Sequence, residues 1–178
     1  YALDLGDMRE RLLQDPVLRE VEVRRVLPDS LHFSVYGRAP VAQLLRRGGP
    51  TVDSEGYVME PGDAVGEREL PILVGIHRAS RIRHGQRLTQ RPVRAALDFL
   101  RIKSERPQGH RLQVHRIIWN ASNGNLRVVL HGSREHGIRP GAELVLPPDD
   151  LVRGVDRALR ILEIRSLANQ RTGYIDTT

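Results

Sequence analysis

Seven histidines and 22 acidic side chains are the groups in this 178-residue chain that could hold a metal or move a proton. His110 and His115 stand five apart, a spacing that puts them on opposite sides of a strand. His131 and His136 repeat that spacing in a glycine-containing loop. Neither pair belongs to an H-E-x-x-H pattern, so they are read as surface histidines. Asp149-Asp150 resembles a pair of catalytic acids, but it precedes an apolar-periodic run and is read as a helix cap. No G-x-S-x-G elbow, phosphate-cradling glycine loop or dinucleotide fingerprint occurs. The chain has no cysteine, which excludes disulfides, zinc-thiolate sites and cysteine nucleophiles. The expectation is a non-catalytic protein with no metal site and no cofactor.

Charge offers a second kind of chemistry. There are 28 basic and 22 acidic residues, a net +6, and Lys103 is the only lysine, which leaves 27 arginines. From Leu70 to Leu97 no acid occurs, while Arg78, Arg81, Arg83, Arg87, Arg91 and Arg94 gather beside His77 and His84. This stretch reads either as an anion-facing patch for nucleic acid, lipid headgroups or an acidic partner, or as a solvated connector. Bases need aromatic platforms, and the stretch has none.

The elements around these groups can be read from periodicity and punctuation. Leu5 to Leu13 is predicted to be a short amphipathic helix with Asp7 as its cap, ended by Asp15-Pro16 because proline disfavours helical geometry in the preceding residue. Val21-Glu22-Val23 and Leu31 to Val35 alternate as strands around a Pro28-Asp29-Ser30 turn. Val41 to Leu45, Thr51 to Asp53 and Tyr57 to Met59 are further short strands. The reversal at Asp53-Ser54-Glu55-Gly56 uses the freedom of Gly56 to take positive φ. After a loop rich in Gly, Glu and Pro comes the apolar run Leu70 to Gly75. Pro92 opens a helix to about Lys103, with Val93, Ala96, Leu97 and Leu100 on one face.

Strands return at Leu112 to Trp119. The Asn123-Gly124 hairpin signal leads into Leu126, Val128 and Leu130 on one face. Ala142 to Leu146 is another strand. Asp149 or Asp150 caps a helix to about Leu167, with Val152, Val155, Leu159 and Leu162 inward, and Tyr174-Ile175-Asp176 begins a last strand. The fold class is therefore α+β: a helix and hairpin, then an antiparallel or mixed sheet with two packing helices. The length suits one ordinary domain or two small ones. A helix and two strands bury too little apolar surface to stand alone, so that unit is expected either to lean on the rest of the chain or to continue upstream. The opening Tyr1, without a signal-peptide pattern, reads as the start of a piece of something longer. No run approaches the roughly 18 apolar residues of a membrane helix.

Four segments in order resemble the extracytoplasmic part of the bacterial cell-division proteins FtsQ/DivIB. They are Leu12 to Val17 with Val21 to Leu31; Arg38 to Leu44 with Val52 to Val58; Leu70 to Gly75; and Tyr174-Ile175-Asp176 after a long helix. The resemblance covers nearly the whole chain. It implies that residues 1–37 are the C-terminal part of a POTRA domain and 38–178 a β domain. The chain departs from the family at Arg38-Ala39-Pro40, at Pro147-Pro148 and at the terminal Thr177-Thr178.

That resemblance implies a septation scaffold of the inner membrane, anchored by one upstream helix, with its outer domain engaging FtsB/FtsL-like divisome proteins and no nucleic acid. The implied contact edges are Tyr174, Ile175, Asp176 and Thr177, the residues before Trp119 including Arg116, and the strand from Val21 to Arg25, with Val23 between them. Ile175 reads equally as core packing of a final strand, and Arg25 equally as a solvated strand residue. The competing functions are a nucleic-acid- or anionic-surface-binding module using Arg78–Arg94, and a hydrolase revealed by a buried acid pair in a cleft.

Overall fold

The computed structural model describes residues 4–61, 69–76, 82–168 and 170–178. Part of the loop before Leu70, and His77, Arg78 and Arg81 of the basic stretch, lie outside the described residues.

The chain begins with α1 (Leu5–Leu13), whose cap is Asp4: its carboxylate accepts from the backbone N–H groups of Gly6 and Asp7. Asp7, expected to cap, lies inside the first turn and pairs with Arg11 one turn on, at 2.9 Å. β1 (Leu18–Val26) and β2 (Ser30–Gly37) form an antiparallel hairpin that is a two-stranded sheet of its own. Its register puts Val21, Val23 and Arg25 opposite Val35, Phe33 and Leu31 on one face, and α1 contacts β1. Phe33 and Val35 remain exposed.

The rest of the molecule is built on one eight-stranded sheet. Its strands are β3 (Pro40–Leu44), β4 (Thr51–Asp53), β5 (Val58–Met59), β6 (Ile72–Val74), β7 (Val114–Trp119), β8 (Leu126–Leu130), β9 (Ile138–Leu146) and β10 (Thr172–Asp176). Their spatial order is β10-β9-β8-β7-β6-β3-β4-β5. The meanders β3-β4-β5 and β7-β8-β9 are antiparallel. β6 runs parallel to β3 and β7, and β10 parallel to β9. The fold is thus α+β with a mixed sheet.

Parallel neighbours need crossovers, and helices supply two of the three: α2 (Arg91–Glu105) between β6 and β7, and α3 (Leu151–Leu167) between β9 and β10. Pro92 occupies the first turn of α2, where its missing N–H costs nothing. α2 buries Val93, Ala96, Phe99 and Ile102, and α3 buries Val155, Ala158, Leu159 and Leu162, in one core with Leu126, Val128, Leu144 and Ile175. Val152, expected inward, is exposed. Leu151, four residues before Val155, takes the inward position of the first turn instead; before it Pro148–Asp150 is a 3-10 turn, Asp149 binds Arg91 at 3.0 Å, and Asp150 makes no side-chain capping bond. The strand expected from Leu112 starts at Val114, because Gly109–Arg111 forms another 3-10 turn.

The helices lie on one face of the sheet. The other face carries the alternate side chains: Arg116 on β7, Arg127 on β8, and Tyr174 and Asp176 on β10, all exposed.

Candidate functional site

Among the expected contact residues, the structure keeps four together. Among the described residues β10 is a border strand, hydrogen-bonded on one side to β9 alone. Thr177 N–H donates to the Val145 carbonyl at 3.1 Å. Alternation along an extended strand then turns the backbone N–H and C=O of Asp176 and Tyr174 the other way, toward the open side. The same two residues place their side chains on the helix-free face. Tyr174 is 54% exposed, whereas Ile175 and Thr177 are each 4% exposed. Ile175 therefore belongs to the core. Thr177 donates its hydroxyl to the Val145 carbonyl at 2.9 Å, so both side chains are engaged within this chain.

Local chemistry holds this border extended. The Asp176 carboxylate accepts from the Thr178 N–H at 2.9 Å and its hydroxyl at 2.7 Å, and these bonds hold its pKa below the ordinary carboxylate value. The Tyr174 hydroxyl donates to Asp176 at 3.2 Å. Burial first, then the Asp176 charge, raises the Tyr174 pKa. From the helix layer, Arg157 donates to the Thr177 carbonyl at 3.1 Å. Gly154 is what lets α3 approach so closely: a Cβ there would lie 2.7 Å from Leu146 Cδ2 and 3.1 Å from Thr177 Oγ1. On the open face, Tyr174 and Asp176 border a polar hollow of about 320 Å³ with Asn120, Asn123, Asn125, Arg127 and Glu143.

The remaining expected contacts lie elsewhere. Arg116 is exposed, but β7 is flanked by β6 and β8, so its backbone is paired on both sides and it is no sheet edge. Its Cα partner on β8 is Val129, and three inter-strand steps of about 4.8 Å separate β7 from β10. Val23 is half-buried and Arg25 exposed on β1 of the separate hairpin. β1 does have a free side, although Arg9 of α1 already takes the Val21 carbonyl there at 2.9 Å.

Other chemistry-bearing groups resolve into structural roles. Asp53 is the one buried charged residue among the described residues. Its carboxylate accepts from Arg38 at 2.6 Å and from the N–H groups of Glu55 and Tyr57 at 2.9 and 2.8 Å. Arg38 also reaches Glu55 at 2.9 Å and stacks 3.7 Å over the Tyr57 ring. Burial disfavours the Arg38 charge, but its bonds to Asp53 and Glu55 outweigh that and raise its pKa. The acids here are thus neutralised by an arginine and clamp the β4–β5 turn.

The histidines pair across the sequence. The rings of His115 and His131 lie 4.7 Å apart, those of His110 and His136 5.8 Å apart, both edge-on. His110 sits in a 3-10 turn, not on the strand. Burial, then the His131 charge, lowers the His115 pKa. His131 is 3.8 Å from Glu69 at the rim of an 820 Å³ cleft, lined also by Leu97, Leu100, Lys103 and Gln113. Burial lowers the Lys103 pKa. Among the described residues no three histidine, aspartate or glutamate side chains gather so as to hold a metal.

Of the basic stretch, Arg87 donates to the Glu55 carbonyl at 3.1 Å and Arg91 to Asp149 at 3.0 Å. Among the described residues no helix is long and apolar enough to cross a membrane.

Sequence reasoning missed Gly154 and Arg157. A glycine inside a helix costs about 1 kcal/mol, which is a signal for close approach, but its neighbour could not be named. The His115–His131 pair is not legible from the Asn123-Gly124 turn: that turn carries the register as far as Arg116 opposite Val129, and an irregularity between Val114 and Arg116 then shifts it so that Val114 meets Leu130. Comparison with models of known protein families finds no match for this chain, and no curated protein matches it.

Proposed function

We propose that the chain is the extracytoplasmic part of a bacterial cell-division scaffold of the FtsQ/DivIB kind. In this reading residues 1–37 are the end of a POTRA domain, 38–178 are the β domain, and an upstream helix anchors both in the inner membrane. The protein catalyses nothing; it recruits FtsB/FtsL-like partners, which add a strand to β10. The observation that supports this reading is the unpaired border of β10, where Tyr174 and Asp176 turn backbone donors and acceptors outward. Such a row is a template for another strand.

Magnitudes set what else the partner must provide. Two outward residues offer four backbone bonds, and at a net ~1 kcal/mol each they give about −4 kcal/mol, near millimolar affinity. Micromolar binding, near −8 kcal/mol, requires side-chain anchors of about 2 kcal/mol each. With Ile175 turned into the core, Tyr174 is the apolar anchor this border retains.

The test is a fluorescence titration with a labelled peptide from the C-terminal region of an FtsB-like partner. Saturable binding at or below about 100 μM is expected. Tyr174→Pro should abolish it, since proline removes an outward N–H and fills its place, while an edge strand tolerates the change. Absence of binding at several times that concentration, or equal binding to a folded Tyr174→Pro chain, would overturn the reading.

A further inference from the structure

We propose, on the reading of β10 as a partner-binding border, that the strand it receives carries an acidic, an apolar and an acidic residue at alternate positions facing α3. The geometry comes from how the helix lies along the border. Asp156 bonds Arg106 at the end of α2 at 2.6 Å, so that flank of α3 faces the middle of the sheet. The opposite flank faces β10: Arg157 reaches the Thr177 carbonyl, and Gly154 adjoins the Thr177 hydroxyl. The helix C-terminus lies by the start of β10, where Gln170 N–H bonds the Arg165 carbonyl two residues before Thr172. Helix and strand are therefore antiparallel, side by side.

On this flank the positions one turn apart are Arg157, Ile161 and Arg165, an i, i+4, i+8 row. Ile161 is packed against the core but only partly buried, and Ile164 beside it is 59% exposed. Successive members of the row rise about 6 Å along the helix. Side chains on one face of a strand repeat every two residues, about 6.6 Å. The match brings three consecutive helix-facing side chains of an added strand to a cation, an apolar side chain and a second cation. Arg157 uses one guanidinium nitrogen on Thr177 and retains other donors. Arg165 has no ion-pair partner among the described residues. Carboxylates are the groups these forks recognise, and a branched apolar residue fits between them against Ile161 and Ile164. The outward-facing positions of the same strand would meet Tyr174, Asp176 and the polar hollow, and so carry polar side chains.

The experiment uses the full chain and short labelled peptides with glutamate, valine and glutamate at alternate positions and threonine between. A second peptide replaces both glutamates by lysine, and two mixed peptides carry lysine at one end only. The glutamate peptide should bind about tenfold or more tighter than the lysine peptide at low salt, two pairs of up to ~1 kcal/mol each, and lose most of that margin at 1 M salt. Arg165→Glu, which leaves the Arg157–Thr177 bond intact, should invert the preference in favour of one mixed peptide. Which one it favours reports the direction of the added strand. If glutamate and lysine peptides bind alike and Tyr174→Pro abolishes both, the border reading stands and the acidic pattern is wrong. A glutamate peptide indifferent to Arg165→Glu, or failing where the FtsB-like segment binds, also overturns the pattern. Should no peptide of either kind bind, both readings fall.

Discussion

At one end of the eight-stranded sheet, β5 contributes only Val58 and Met59, both buried, and its free side is already taken. Val58 N–H donates to the Gln86 carbonyl at 2.9 Å, Gly85 N–H to the Val58 carbonyl at 2.9 Å, and Leu88 N–H to the Gly56 carbonyl at 2.8 Å. Gly56 permits that cover: at φ +93°, a Cβ would stand 2.6 Å from the Leu88 carbonyl oxygen. At the other end, β10 is held by its inward side alone, through Ile175, Thr177 and the approach of α3. Sheet borders left unpaired invite unwanted association, and proteins blunt them by shortening or covering. Among the described residues β5 is both short and covered, and β10 is neither. The asymmetry is what the proposed function uses.

The largest expected effect lies at the closed border. Arg38→Ala leaves the Asp53 carboxylate, 4% exposed, without its cation. Removing one member of a buried pair costs about 3–5 kcal/mol, and the two N–H bonds that Asp53 keeps favour the lower figure. Urea unfolding should show the midpoint fall with little change in slope. A loss below about 1 kcal/mol would mean that the Arg38–Asp53–Tyr57 cluster does not hold this border.

The open border should separate stability from binding within two adjacent residues. Ile175→Ala removes a buried side chain and should cost about 2–4 kcal/mol. Tyr174→Ala, at an exposed position, should stay within about 0.5 kcal/mol of the parent yet weaken peptide binding at least about tenfold, the loss of one anchor of ~2 kcal/mol. Thermal unfolding and the same fluorescence titration read the two effects. Equal losses of stability from both substitutions would show that Tyr174 is part of the packing, and the contrast between the faces of β10 would disappear.

How much of this is legible in the sequence depends on the range of the interactions. Strands and helices announce themselves through local pattern: Leu126, Val128 and Leu130 alternate, Pro92 opens α2, and the Asn123-Gly124 turn fixes a hairpin. Caps are less legible because several acids compete within one turn, and Asp4 takes the role expected of Asp7. Val152 is misplaced by one helical step, since Leu151 and Gly154, which flank it, are the buried residues of the first turn of α3. The position of β10 at a border is expected only through resemblance, because strand order is a long-range property. So is the role of Arg116, whose strand the topology places in the interior. The row Arg157, Ile161, Arg165 has the spacing of an ordinary helix flank, and only the position of Thr177 beneath Arg157 gives it meaning.

The smallest effect sharpens the comparison through pH and salt. Glu55 by the closed border and Asp176 on the open one both hold their pKa below the ordinary value. A carboxylate with a lowered folded pKa contributes stability above its unfolded value, near 4.5 for Glu55, and that contribution is lost as pH falls through the folded pKa. The causes differ. For Glu55 the main one is the Arg38 guanidinium, with the charges of Arg19 and Arg87 added; for Asp176 it is the backbone N–H of Thr178, then its hydroxyl. Glu55 is more than one-third exposed, so its share should stay below about 1 kcal/mol. Glu55→Gln should flatten the acid limb of the stability profile at low salt and do so less at 1 M salt, where its cationic neighbours are screened. Asp176→Asn should flatten it equally at both, because a fixed N–H dipole at 2.9 Å is not dispersed by mobile ions. If the two substitutions respond to salt alike, the closed border is not held by charge in the way the Arg38 cluster requires.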